Sequence, residues 1–328
     1  MFDWFTTYSH VGLDTIKEVE SKVALLSEVR LVNGYGLTYH NGYLMNEDTG
    51  RKMGVTWNKE KETLTLKVCP NKFLLGNNVQ EASIEQVSNM FYNLSEMFSY
   101  DFAEAIVRRC DVTHTAEVER HPCAYYPFFC NQDTFSRLEH KTSLYYKKQG
   151  FTKVCYDKAK EVDQRKTWGG RQKMPPELKD KNLFRFEVRY NSSQQVSRAV
   201  MDSTSAPAHL TVSEVLSEFV VERLQKQWIK EYDNIPKMTE LPFDFTKISG
   251  NKAVRDEINR LALSNLGRLN IEKLIFLASD SGALPNSQEL CRARKILKVF
   301  DERGSKSSHI LELDEKIHAC KPKMEGYD

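Results

Sequence analysis

The chain has 328 residues, 40% of them hydrophobic and 28% charged, enough for one large domain or two ordinary ones and too well mixed for long disorder. It holds no run of about 18 apolar residues, so no transmembrane helix is expected, and the start MFDWFTTYSHVGLD lacks the basic end and apolar centre of a signal peptide. Seven cysteines, odd in number and with no Cys-x-x-Cys pair, point to reduced thiols in a cytoplasmic protein and away from a disulfide scaffold or a structural zinc site.

Residues 22 to 75 read as β-structure. KVALLSEVRLV, GLTYHNGYLM, GVTWN and TLTLKV are short apolar or alternating runs, with Leu64, Leu66 and Val68 on one face. CPNKFLLGNN reads as a strand exit ending at a Gly-Asn turn. Ser83 and Gln86 have capping-box spacing and open a helix carried by Val87, Phe91, Leu94, Phe98 and Phe102, expected to run to about Ile106. A strand, VRRCDVTHTAEV, carries Asp111 near its middle. The aromatic stretch from Tyr125 to His140 has no clear period. SLYYKKQGFTKVCYDKAKEV is a hairpin turning at Lys147-Lys148-Gln149-Gly150. WGGRQKMPPELKDK is a loop, and LFRFEVRY is a further strand. From Thr211 the pattern becomes helical, with Val215, Phe219, Leu224 and Trp228 on one face, and with further helices over 251–266, 270–282 and 286–304 after a linker at 234–251.

The net charge of +2 says little about partners, but its distribution says more. Lys141 to Arg189 holds fourteen Lys and Arg against six Asp and Glu, a local balance of +8. A polyanion such as nucleic acid fits that segment, and a solvated lysine-rich surface is the plainer reading. Two acids sit in mid-strand. Asp is a poor strand former, and a charge facing a core is costly unless paired. Asp111 lies between Cys110 and Val112; Glu187 lies between Phe186 and Val188, with Arg185 and Arg189 on its own face. A surface acid flanked by arginines is common, so neither acid alone marks a site. Tyr156 has Lys158 two residues on and Glu161 five residues on, while Tyr145 and Tyr146 lie on the partner strand. A tyrosine nucleophile needs support for its phenolate, because the free phenol ionises only near pH 10. The residues alone do not choose among the three phenols. No His-hydrophobic-His triplet is present, which rules out a two-histidine metal motif, and the absence of a G-x-x-x-x-G-K or G-x-G-x-x-G loop argues against an ATPase or a dinucleotide enzyme.

Three segments in order, Arg109-Cys110-Asp111-Val112-Thr113, then Tyr156 to Glu161, then Leu183 to Arg189, together resemble the gene II/X replication initiators of filamentous phages, with KFLLGNNV (72–79) at a similar distance upstream. The likeness covers roughly residues 70 to 200 and is more distant to plasmid initiators of the Rep_trans type. It implies a rolling-circle initiator that nicks one origin strand through a tyrosine, keeps the 5′-phosphate covalently, leaves a 3′-OH for host polymerase and later rejoins the strand. Tyr156 corresponds to the nucleophile, though its neighbours Cys155 and Asp157 differ from the phage pattern. Lys158 is expected to lower the phenol's pKa or touch the phosphate. Without paired histidines the divalent ion, Mg2+ or Mn2+, is expected on Asp111, Glu187 and Glu161. Arg185, Arg189, Lys147, Lys148 and Lys153 are expected on DNA, and Tyr145 and Tyr146 are the alternative nucleophiles. Host polymerase and helicase are the implied partners, and the bacterial cytoplasm the implied location.

The expected fold is α+β: a nicking domain over 1–210, built on a mainly antiparallel curved sheet with packed helices, and a helical region over 211–328 for origin recognition or homo-oligomer contacts. The competing readings are a DNA-binding regulator that does not nick, a metal nuclease that uses water, and an interaction protein built on the C-terminal helices. The last leaves the three segments unexplained.

Overall fold

Period-two burial builds the frame. In β4 (Arg51–Asn58) buried and half-buried residues alternate along the strand, as they do when one sheet face meets the core. The computed structural model describes residues 1–31, 37–164, 166–167, 170–171, 174–201, 207–237, 239–240, 305–306 and 308–322. It opens with β1 (Phe2–His10), α1 (Leu13–Lys22), β2 (Ala24–Leu31) and β3 (Leu37–Asn46). After β4 come β5 (Thr63–Val68), α2 (Pro70–Leu75), α3 (Ile84–Phe98), β6 (Ile106–Glu117), β7 (Ser136–His140), β8 (Ser143–Lys148) and β9 (Phe151–Asp157). The chain continues through α4 (Lys158–Gln164), the short pair β10 (Lys166–Thr167) and β11 (Gly170–Arg171), β12 (Leu183–Tyr190), α5 (Ser193–Val200), α6 (Val212–Leu216) and α7 (Glu218–Asp233). A last described pair, β13 (Thr239–Glu240) and β14 (Ser305–Lys306), precedes α8 (Ser308–Ala319).

Ten strands form one sheet in the order β2-β3-β4-β5-β1-β6-β12-β9-β8-β7, antiparallel throughout. The α+β expectation holds. The β8–β9 hairpin turns as expected, with Gly150 at φ +71, a conformation that costs glycine nothing. Helices α5 and α7 pack on β12, where Phe186 meets Trp228 at 5.4 Å and Tyr232 at 5.5 Å between ring centroids. Leu224 and Trp228 of α7 and Leu313 and Ile317 of α8 share one buried cluster with the sheet residues Phe5, Cys110 and Val188.

Several details differ from the sequence reading. The N-terminal β1 and α1 were read as neither strand nor helix. CPNKFLLGNN holds α2, a helix with Pro70 at its first position and Gly76 left-handed at its end, the placement each residue favours. The Ser83/Gln86 capping box is present, but α3 stops at Phe98 because Ser99 turns left-handed at φ 48. Phe102 then lies in a separate 3₁₀ turn capped by Asp101, buried beside Phe98 (ring centroids 6.2 Å apart), so the apolar stripe outlasts the helix. Phe219 is 59% exposed and leaves the face formed by Val215, Leu224 and Trp228. The helices expected over 251–266, 270–282 and 286–304, and most of the 234–251 linker, lie outside the described residues.

Candidate active site

Strand parity sorts the charged residues. On β12 the even positions Phe184, Phe186, Val188 and Tyr190 belong to the buried apolar cluster. The odd positions Arg185, Glu187 and Arg189 take the other face. Cross-strand register then fixes who joins them: Tyr156 lies opposite Arg185, Asp111 opposite Arg189, and Tyr145 opposite Val154, which itself faces Glu187. Tyr146 and Lys153 fall one residue out of step and go to the apolar side.

The Tyr156 hydroxyl donates to Glu187 Oε2 at 3.1 Å. Arg189 Nε donates to the other oxygen of Glu187 at 2.7 Å and lies 3.9 Å from Asp111 Oδ2. Arg109 holds both oxygens of Asp111, at 2.9 and 2.6 Å. Burial, then the charge of Glu187, keeps the Tyr156 phenol well above the ordinary tyrosine range, while the Arg185 cation works the other way. Burial also lifts the Asp111 carboxyl to about 7, helped by Glu187 and opposed by Arg109.

A second group lies beneath, with Lys158 and Arg185 fully buried at its centre. Lys158 Nζ donates to Asn78 Oδ1 and to Glu161 Oε2, both at 2.6 Å, and sits 5.8 Å from the Tyr156 ring centroid. Arg185 donates from Nε to Thr115 Oγ1 at 2.7 Å, from Nη1 to Asp3 Oδ1 at 3.3 Å, and from Nη2 to the Asn78 carbonyl. Asn78 Nδ2 closes the loop by donating to Asp3 Oδ1 at 3.2 Å. Burial and the neighbouring Arg185 cation lower Lys158 to about 8. Burial would raise Asp3, but Arg185 and Lys158 hold it at about 2. Nothing in the sequence marks Asp3, and Asn78 is marked only as part of the KFLLGNNV stretch, with no role. Asp3 stands where the β1–β6 register shifts between Phe2 and Trp4, the kind of irregularity that re-aims a side chain. Asn78 follows α2 in a loop whose turn is pinned by Asn77 Oδ1, which accepts from the Val79 and Gln80 N–H groups.

A cavity of about 190 Å3 opens at Tyr156, lined by Asp3, Tyr145, Asp157, Glu161, Glu187 and Arg189 among others. A wider groove of about 680 Å3 adjoins it through Ser143, Tyr145 and Arg189, and carries Arg109, His140 and Lys147. The other residues expected on DNA or as nucleophiles line neither space. Arg185 is fully buried in its ion pair. Lys153 is fully buried and donates to the carbonyl and carboxylate of Glu231 on α7 at 2.8 and 2.6 Å. Lys148 lies over the rings of Phe135 and Phe151. Tyr146 is fully buried and donates to the Cys130 carbonyl at 2.7 Å.

Asp111, Glu187 and Glu161 do not close on one point. Among the described residues the one group of three with donor atoms within 4.8 Å of each other is His121, Cys123 and Asp157, which could hold a metal ion. Cysteine spacing could not show this group, because it joins one cysteine and a histidine at a 3₁₀ turn to an acid at the end of β9. No described helix is long and apolar enough to cross a membrane.

The model of the phage replication-associated (gene II) protein family, N-terminal part, matches residues 1–207, and the chain belongs to that family. No curated protein and no solved structure matches it.

Proposed function

We propose that this protein initiates rolling-circle DNA replication, nicking one origin strand through a 5′-phosphotyrosine at Tyr156 and later rejoining it. The observation that carries this reading is the Tyr156–Glu187 hydrogen bond in a cavity walled by Arg189 and backed by Lys158. Family membership supports the same reading.

The chemistry follows from the phenol's surroundings. A phenol held above its ordinary range stays protonated at neutral pH, so its proton must leave as the oxygen attacks. Glu187 Oε2 already accepts that proton's hydrogen bond. In the proposed step Tyr156 Oη bonds to the scissile phosphorus, the bond from phosphorus to the 3′ oxygen breaks, and the phenol proton passes to Glu187. The 3′ oxygen takes a proton from solvent and leaves as the 3′-OH. One phosphodiester replaces another, so the reverse step rejoins the strand without ATP. Arg185 and Lys158 stabilise the developing phenolate from below, and Arg189 faces the phosphate.

The carboxylates at the cavity fit a hard ion in donor type. Mg2+ or Mn2+ commonly binds one or two protein carboxylates and completes its shell with water and substrate phosphate. Asp3 and Glu161 line the cavity and are our choice to hold it. Glu187 accepts the phenol's hydrogen bond and Asp111 is held by Arg109, so we assign Glu187 the proton and Asp111 the orientation of Arg109. When bound, the ion would neutralise charge on the non-bridging phosphate oxygens.

Arg109, Lys147 and Arg189 line the adjoining groove and are the proposed contacts to the DNA backbone, with Tyr145 between the two cavities. Arg185, Lys153 and Lys148 are left out of that role by their placement. The 3′-OH suits a host polymerase, and a helicase would open the duplex ahead of it, which places the protein in the bacterial cytoplasm. Residues 1–210 carry the nicking chemistry in this reading. The region from 211 onward supplies origin recognition or self-association.

The test is a denaturing gel of protein mixed with Mn2+ and an end-labelled strand carrying the replicon's origin. A metal-dependent covalent band that disappears in Tyr156→Phe is the expected result. Cleavage with no covalent band, unchanged in the variant, would make the protein a nuclease that uses water.

A further inference from the structure

The 3₁₀ turn over Pro122–Ala124 and the end of β9 bring His121, Cys123 and Asp157 together, with one donor atom of each within 4.8 Å of the others. We propose that these three residues form a second metal site, one that takes a borderline ion of the Zn2+ class and shares only Asp157 with the lining of the carboxylate cavity.

The donor set decides the ion. A nitrogen, a sulfur and an oxygen together suit Zn2+, whereas Mg2+ and Ca2+ take oxygen ligands. Three protein ligands leave a fourth position for water. The turn is held ready: Pro122 sits between the two donors of the 121–123 segment and fixes its own φ, so little ordering remains for the ion to impose. Asp157 is ready as well. Its Oδ1 accepts from the Lys160 N–H at 3.0 Å, which caps α4, while its Oδ2 faces His121 Nε2 at 3.0 Å. His121 is 44% exposed and Asp157 only 3%, so an ion can enter from solvent and rest against a buried carboxylate.

The ion replaces three contacts, the first of them the one between His121 Nε2 and Asp157 Oδ2. Ligation through Nε2 puts the ring proton on Nδ1 and gives up the contact from the Cys123 N–H, which is long at 3.3 Å. Cys123 Sγ loses its proton to solvent and its bond to the Lys141 carbonyl at 3.1 Å, a bond from a weak donor. The gain is a link between the 3₁₀ turn and the strand end that carries the phenol, because Asp157 follows Tyr156 and lines the same cavity.

The experiment uses the full chain, stripped with chelator and titrated with Co2+ as the optical stand-in for Zn2+. One equivalent should give thiolate-to-cobalt charge-transfer absorption, and Zn2+ should bleach it while excess Mg2+ does not. Cys123→Ser should abolish the band, His121→Ala and Asp157→Asn should weaken binding at least about tenfold, and Cys320→Ser should leave it intact. Zn2+ should also raise the melting temperature of the wild type but not of Cys123→Ser, which checks that the variant still folds. Absence of the band in folded wild type, its survival in Cys123→Ser, or displacement of the ion by Mg2+ would overturn the proposal. Neither readout involves DNA, so a failure here leaves the Tyr156 reading standing.

Discussion

The phenol of Tyr156 and the carboxylate of Glu187 sit opposite different residues on neighbouring strands, yet they meet at 3.1 Å because both side chains leave the sheet on the same face. If Glu187 takes the proton, Glu187→Gln should slow single-turnover nicking by about 10²- to 10⁴-fold. Oligonucleotide affinity and the half-saturating Mn2+ concentration should stay the same. A large rise in the metal requirement would instead make Glu187 an ion ligand.

Lys158 sets an alkaline limit. With its ammonium lowered to about 8 by burial and Arg185, the cation is present below that pH and lost above it. Its support for the phenolate is lost in the same direction. The nicking rate should therefore fall as pH rises through about 8, and Lys158→Arg, whose guanidinium keeps its proton, should remove that limb. A pH–rate profile on both proteins under single-turnover conditions decides it.

Asp3 should matter for stability before it matters for chemistry. It is the carboxylate partner of the buried Arg185, and removing one member of a buried pair costs about 3–5 kcal/mol. Urea unfolding of Asp3→Ala should show that loss. The pH dependence has a definite sign. Asp3 moves from 3.8 to about 2 on folding, so its contribution is complete above about pH 4 and disappears as pH falls through 2. The wild type should lose stability across that window by more than Asp3→Asn does.

The two neighbouring tyrosines should separate by face. Tyr146→Phe should cost about 1 kcal/mol by losing its bond to the Cys130 carbonyl, with the covalent DNA adduct unchanged. Tyr145→Phe should also form the adduct. Thermal melting and the denaturing gel measure the two effects.

Much of this arrangement was legible in the sequence, for physical reasons that can be named. The acids of β6 and β12 stood out because charges in apolar strands need partners, and Tyr156 stood out through its resemblance to a known motif. Parity carried the rest: once Phe184 and Phe186 point inward, Arg185, Glu187 and Arg189 must share the other face. What stayed hidden depended on contacts distant in sequence. Asp3 meets Arg185 across 182 residues, at a strand irregularity that has no local signature. Lys153 and Lys148 looked like DNA contacts by charge, but their parity turns them toward α7 and toward Phe135. His121, Cys123 and Asp157 share no spacing rule, since two lie at a 3₁₀ turn and the third ends β9, more than thirty residues on.

The most direct test of the central claim is mass spectrometry of the DNA-linked peptide. After reaction with Mn2+ and the origin strand, nuclease trimming and trypsin, the nucleotide mass should lie on the peptide Val154–Lys158, at Tyr156. A mass on Thr142–Lys147, which carries Tyr145 and Tyr146, or cleaved DNA with no adduct on any peptide, would contradict it.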